Sequence, residues 1–420
     1  MAAFLLLFLG TAVAAAPDEP ESDEVKESAK SAEAEDQGDS SEPADTEGAP
    51  ETKGEKKMKY HLGGALRFNA FHKSWDEENK DKLGELAFDT LMANADVSYG
   101  GIDLSLQYRF YNGYNMLHHG YFGYTFKQGT EMQIGVSRKP FGILPYASHN
   151  WFFDITYYLG MEDDYDAGIK VLVPHPKLDL QFAFYKNDEG SYTGDSLDSA
   201  RYSYDVVRTS ESESAALGID GATGNQEINQ FNARVAYTFD HGERFTTEIG
   251  ASGEWGQLYN SITTQTGDHW AAAVHLNGTY GRFNVMFEAL GYGFRPKNPA
   301  GQSDDIIVMG AYDAPYKVAA EGAIALFNFM YTLPVDRGAL ETIGFYNNYS
   351  YLAKRDSQFK DSQQNVLGMV LGAGRLLTYI DFAFGKNHPW IGPSYGSALA
   401  EGDPAAGWES RFNINIGYYF

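Results

Sequence analysis

Four carboxylates fall within five positions at Glu162-Asp163-Asp164-Tyr165-Asp166, and two cations, Arg138 and Lys139, stand upstream of them. Oxygen-rich clusters of this kind suit calcium, but the EF-hand spacing and its central glycine are missing. The chemistry they offer is therefore charge: a brace or a lining for a polar space. Arg138 and Lys139 either pair with these acids and pin the intervening chain or present cations to a solute. Asp154 lies between the two groups, and Arg109, Glu131 and Lys170 flank them. Together these ten residues are the candidate lining of a constriction.

Other constellations are weaker. Trp151, Phe152, Phe153, Tyr157 and Tyr158 offer faces on which sugar rings stack, or they pack the segment against a wall. His118 and His119 are adjacent, so on a regular strand they project to opposite faces and cannot share a metal. No G-x-S-x-G element supports a nucleophile, and Gly372-Ala373-Gly374 lacks the following helix of a dinucleotide site. Metal, cofactor and catalytic sites are all expected to be absent.

The elements that position the charges are strands. Met132, Ile134 and Val136 alternate with Glu131, Gln133 and Ser137, while Ala167, Ile169, Val171 and Val173 alternate with Asp166, Gly168 and Lys170. Between these strands lies a loop of 26 residues, 139–164. Connections of that length in compact folds are usually functional. The loop is expected to fold inward and narrow a pore.

Composition agrees. Aromatics make up 15% of the chain, with 29 Tyr and 45 Gly, as many strands and tight turns require. There is no Cys, so thiolate sites and disulfides are excluded. A net charge of −25 argues against nucleic acid as a partner. Residues 1–16 form a short apolar run ending in small residues, read as a signal peptide. No later apolar run is long enough for a membrane helix, which excludes a helical membrane protein. Residues 17–57 hold 15 Asp and Glu against 5 Lys and no aromatic residue. They read as a disordered acidic periplasmic linker.

From residue 58 onward, alternation recurs and connections switch between short and long. Short turns fall at Tyr99-Gly100-Gly101, Lys127-Gln128-Gly129, 174–177, 240–243, Tyr280-Gly281, 334–338 and Gly374-Arg375. Long connections fall at 73–83, near 112–116, and at 139–164, 187–227, 260–266, 295–313, 354–362 and 387–408. Seven turns and eight loops join 16 strands. The fold expected over 58–420 is all-β, a transmembrane antiparallel barrel with its third long loop in the lumen. Aromatics close many strands, as an interfacial girdle requires, and the last alternation ends on Phe420. Phe420 reads as an assembly signal.

The segments GVSRKPFGILPYASHNWFF and YYLGMEDDYDAGIK, with LAFDTLMANADVSYGG and QYRFYNGYNMLHHGYFGY, resemble the phosphate-selective porin O/P-like family of Gram-negative outer membranes. The resemblance implies a trimeric 16-stranded barrel whose third loop constricts the channel. Its phosphate selectivity does not carry over. Inward basic candidates are Arg67, Arg109, Lys170, Arg234 and Arg411; acidic ones are Asp96, Asp103, Glu131, Asp166, Asp179, Glu248, Glu254, Glu288 and Asp381. Selectivity follows charge at the constriction, so a mildly acidic lumen is expected. The functional expectation is passive diffusion of small hydrophilic solutes and ions across the bacterial outer membrane. The implied partners are those solutes, outer-membrane lipid, the barrel assembly machinery and two further copies of the chain. The alternatives are a porin preferring phosphate or sugars, and a closed receptor or structural barrel.

Overall fold

A computed structural model describes residues 58–420. The signal and linker readings for 1–16 and 17–57 lie outside the described residues. In chain order the strands are β1 (Lys59–Lys73), β2 (Glu85–Tyr99), β3 (Ile102–Phe110), β4 (Asn115–Thr125), β5 (Glu131–Arg138), β6 (Tyr165–Pro174), β7 (Leu178–Asp188), β8 (Asp205–Val206), β9 (Asn225–Asp240) and β10 (Phe245–Asn260). They continue as β11 (Gln265–Tyr280), β12 (Phe283–Arg295), β13 (Ile306–Ala311), β14 (Ala314–Ala319), β15 (Glu321–Arg337), β16 (Leu340–Lys354), β17 (Ser362–Ala373), β18 (Leu376–Lys386) and β19 (Glu409–Tyr419). Sixteen of them form one closed antiparallel barrel, in the order β1-β19-β18-β17-β16-β15-β12-β11-β10-β9-β7-β6-β5-β4-β3-β2. Closure comes from β1 against β19, with Asn69 opposite Asn415.

Burial is inverted relative to a soluble β-protein. On β10, Ile249 and Trp255 are exposed, while Ser252 and Glu254 are buried. Phe122, Phe182, Phe231, Val274, Phe327 and Leu367 repeat the pattern around the ring, each more than half exposed. An apolar outer face on a closed ladder is what lipid demands: each such side chain gains about 1.5–3 kcal/mol on leaving water, and closure leaves no unpaired strand edge.

The expected turns and loops coincide with the observed ones, with three local corrections. The loop expected at 295–313 runs on to the start of β15, because Ala314–Ala319 forms a hairpin with β13 instead of joining the wall. That hairpin pairs with β8 from the preceding long loop, Met309 opposite Val206. Second, the ladder slips beside His118, so both imidazoles turn to one side, their Nδ1 atoms 2.8 Å apart. The opposite-face expectation fails there because a β-bulge adds a residue to one strand. Third, a bulge at Arg67/Phe68 turns Asp89 toward Arg67, 2.8 Å away, an inward acid that strict alternation misses.

At the seam, Gly64 N donates to the Phe420 carbonyl at 2.8 Å, and Phe420 N donates back to Gly64 at 2.9 Å. A Cβ on Gly64 would lie 2.3 Å from the Met92 carbonyl oxygen and 3.0 Å from the Phe420 ring. Deleting Phe420, or substituting Gly64→Val, should therefore lower the folded, heat-modifiable form severalfold; wild-type amounts of folded barrel would contradict this seam.

Candidate functional site

The loop 139–164 leaves β5 and returns to β6, and its neck is electrostatic. Arg138 Nη2 lies 3.0 Å from Asp163 Oδ1, and Tyr165 and Tyr202 both donate their hydroxyls to Asp163, at 2.9 and 2.6 Å. Lys139, 4% exposed, ion-pairs with Asp164, and its Nζ is 3.6 Å from Glu254 and 3.9 Å from Asp166. Lys170 Nζ donates to the Arg138 carbonyl at 3.0 Å. Arg109 lies over the Tyr202 ring, 4.4 Å from its centroid. The structure thus gathers Arg109, Arg138, Lys139, Asp163, Asp164, Asp166 and Lys170 at one place. Glu131 stands apart, bonded to Gln133 on its own strand.

Asp154 and Glu162 work further along the loop. Glu162 accepts from Ala147 N, Ser148 Oγ and Thr156 Oγ1 at 2.9, 3.0 and 2.7 Å, stapling the loop to itself. Asp154 accepts from Asn328 Nδ2 on β15. Burial pushes the Glu162 carboxyl up to about 7, against the pull of its hydrogen bonds. Burial likewise lifts Asp164 to about 8, outweighing the attraction of Lys139.

The loop's backbone and side chains also bond to the buried face of distant strands. Gly142 N donates to Ser252 Oγ on β10 at 2.9 Å, and Ile143 N to Glu288 Oε2 on β12 at 2.8 Å. Arg234 Nε on β9 donates to the Gly142 carbonyl at 2.8 Å. Gly142 adopts φ +60, and a Cβ there would sit 2.5 Å from Glu288 Oε2, so this approach needs glycine. Asn150 Nδ2 and Ile155 N donate to Asn348 and Ser350 on β16, at 2.9 and 3.1 Å. Gln364 on β17 donates to the Phe153 carbonyl at 2.8 Å. Strand β16 stands eight positions from β5 in the ring of 16.

The aromatic residues of the loop mostly pack. Tyr157, Tyr158 and Leu159 join Tyr204, Met309, Tyr316 and Leu399 from three other long loops in one apolar cluster. Buried-face Leu290, Tyr292, Ile324 and Leu352 complete it. Phe152 packs separately with Tyr346, Val366 and Ile391.

Several participants escape a reading of the sequence. Asp205 comes from a distant loop to lie with Asp164 and Asp166, their carboxylates within 4.8 Å of one another. Such a trio could hold a hard cation, but the Lys139 ammonium already reaches two of its members. Arg201, 1% exposed, binds Asp188, Asp198 and Asp205 at 3.0–3.1 Å and ties the 189–224 loop together. Asp198 and Asp205 stand three and four residues from Arg201, but in a segment without regular periodicity that spacing marks no contact, and the hub is visible only once the chain is folded.

No family model matches the chain, and no curated protein does. Among solved structures, it is similar to an outer-membrane expressed OmpT of Vibrio cholerae, at 13% identity over 86% of this chain and 98% of that one, TM-score 0.52. The outer membrane channel DcaP of Acinetobacter baumannii matches at 10% identity over 86% and 97%, TM-score 0.53. OmpF of Salmonella typhi, solved with daunomycin, matches at 10% identity over 86% and 97%, TM-score 0.54. At such identities the likeness establishes the fold, the closed 16-strand barrel of outer-membrane proteins.

Lys139 is the counter-charge of the loop neck. Lys139→Met should destabilise the barrel by about 3–5 kcal/mol, the cost of removing one partner of a buried ion pair. The loss should be smaller at pH 6 than at pH 9. A carboxyl whose pKa is raised on folding, as in Asp164, stabilises fully below its unfolded value of about 4. That contribution disappears as pH rises through about 8. Urea unfolding in detergent at both pH values checks this, and an unchanged midpoint for the variant would contradict it.

Proposed function

We propose that the protein is a passive channel of the bacterial outer membrane, narrowed by the loop 139–164 lying across its lumen. The observation that carries the reading is the set of hydrogen bonds from this loop to Ser252, Glu288, Asn348 and Ser350. These side chains occupy the buried face of strands up to half the ring away from the loop's own. A segment held in that way obstructs most of the cross-section and leaves a restricted path for small hydrophilic solutes and ions, with transport rather than catalysis as the output.

The charge of that path is the finer part of the proposal. On the short-turn half the Asp96 side chain is 55% exposed, and Asp179, 38% exposed, shares Arg234 with Glu248, so that two carboxylates meet one guanidinium. They support a mildly acidic lumen and a modest cation preference. The resemblance of the loop region to phosphate-selective porins supports a homotrimer, a constricting third loop and recognition of the Phe420 end by the barrel assembly machinery. It does not support phosphate as cargo.

A second reading, a barrel closed at rest, is favoured by one feature. Four long loops share the apolar cluster around Tyr157, Tyr204, Met309 and Leu399, and such packing resists water.

Planar-bilayer recording separates the two. The wild-type protein is expected to show small open steps, and removing residues 147–159 should raise single-channel conductance severalfold while leaving the hairpins intact. Asymmetric salt should give a reversal potential of cation sign, shrinking as ionic strength rises. Equal conductance with and without the segment would remove the constriction; silence of the wild type with steps in the deletion would favour the closed barrel.

A further inference from the structure

A cavity of about 510 Å³ opens on the long-loop side between the end of β1 and the 387–408 loop, with Arg411 among its lining residues. Its walls include Trp75, Trp390 and Tyr395. Trp390 and Tyr395 meet edge to face at 5.2 Å, and the Trp390 indole donates to Tyr204 at 2.7 Å, so this wall is fixed.

Arg411 is 8% exposed. Rings surround its guanidinium: Phe71 at 4.8 Å, Phe152 at 5.2 Å and Trp151 at 5.6 Å. It donates to Asn413 Oδ1 at 3.2 Å, and its Nε has no partner. Among the described residues, no carboxylate pairs with it. The other charges of the cavity are matched: Lys73 with Asp76 at 3.6 Å, and Glu77 with Lys80 at 2.6 Å. Arg411 is therefore the cavity's cation without a contacting anion; Asp89 and Asp381 attract it only from beyond ion-pair distance, and it is almost removed from water. A guanidinium has five donors in a planar fork. Burying it without an anion is costly, whereas a bound carboxylate meets two of those donors at once.

We propose that this cavity is a binding site for an organic monocarboxylate with a flat, apolar body. The carboxylate meets Arg411 and the body lies among Trp75, Trp390 and Tyr395. The volume falls within the usual range for small-molecule sites, roughly 300–1,000 Å³, and aromatic walls select flat groups. The site lies at the opposite end of the barrel from Asp96 and Asp179, so the acidic bias proposed there does not oppose it. It does not depend on the barrel conducting.

Isothermal titration calorimetry on the full-length protein in detergent tests the site, with benzoate as probe. Benzoate should give a saturable isotherm, whereas acetate, which lacks the flat body, and benzyl alcohol, which lacks the charge, should bind at least tenfold more weakly. Arg411→Gln should weaken benzoate binding at least tenfold, and Trp390→Ala and Trp75→Ala should weaken it while leaving the charge in place. The site is overturned if benzoate gives no saturable heat, if it binds no better than benzyl alcohol, or if a heat-modifiable Arg411→Gln barrel binds it like the wild type. Should Arg411→Gln fail to fold, the two Trp variants and the three-probe comparison still decide. Because the readout is binding, failure of the site and failure of the channel reading give different results.

Discussion

The loop 139–164 depends on one buried ammonium, that of Lys139. Lys139 is the nearest cation to Asp164, Asp166 and Glu254 together, and it sits where the chain leaves β5. Without it, the return of the loop into β6 would bring several carboxylates together in a low-dielectric space, where Coulomb repulsion and desolvation would keep them protonated and leave the neck without its ion pair. With it, the neck closes, Arg138 and two tyrosine hydroxyls take up Asp163, and the rest of the loop is free to reach strands on the far side.

That arrangement explains an unusual division of labour on the barrel's inner surface. On β12, β15 and β16 the buried face carries Leu290, Tyr292, Ile324 and Leu352 beside the loops. On β1, β3 and β19 it carries Asn69, Gln107, Arg109, Asn413 and Asn415. The loop lays its aromatic residues against the first wall, where dispersion and apolar burial hold them. Polar anchors such as Asn348 and Ser350 set its register. The polar wall is held by its own hydrogen bonds, Asn415 Nδ2 donating to Asn69 Oδ1 at 2.7 Å and Arg109 Nε to Gln107 Oε1 at 2.6 Å.

Much of this was legible from the residues, and for a definite reason. Strand alternation and glycine or proline at turns are local properties, so the 16 wall strands and the position of the long third loop could be read directly. Arg138, Lys139, Asp163 and Asp164 were also legible as a pinning set, because they lie at the two ends of one loop. Asp205 beside Asp164 and Asp166, and Tyr202 on Asp163, were not, since those partners are distant in sequence; Arg201 stands three and four residues from Asp198 and Asp205, but in an irregular segment no period marks that spacing as a contact. Asp89 and the His118–His119 pair were misplaced by strict alternation, because a β-bulge shifts side-chain parity without any consistent sequence mark. Ala314–Ala319 looks like the start of a wall strand in sequence; pairing with Ile306–Ala311, from the connection before it, removes it from the wall.

The loop 139–164 reaches the strand opposite its own. The chain has no cysteine, so a single engineered pair reports without background. Ile155 N lies 3.1 Å from Ser350 Oγ, and Ile155→Cys with Ser350→Cys should be joined efficiently by a short thiol cross-linker in the folded barrel, giving a faster-migrating band after denaturation. A folded double variant whose two thiols label freely and never join would place the loop elsewhere and contradict its reach to β16.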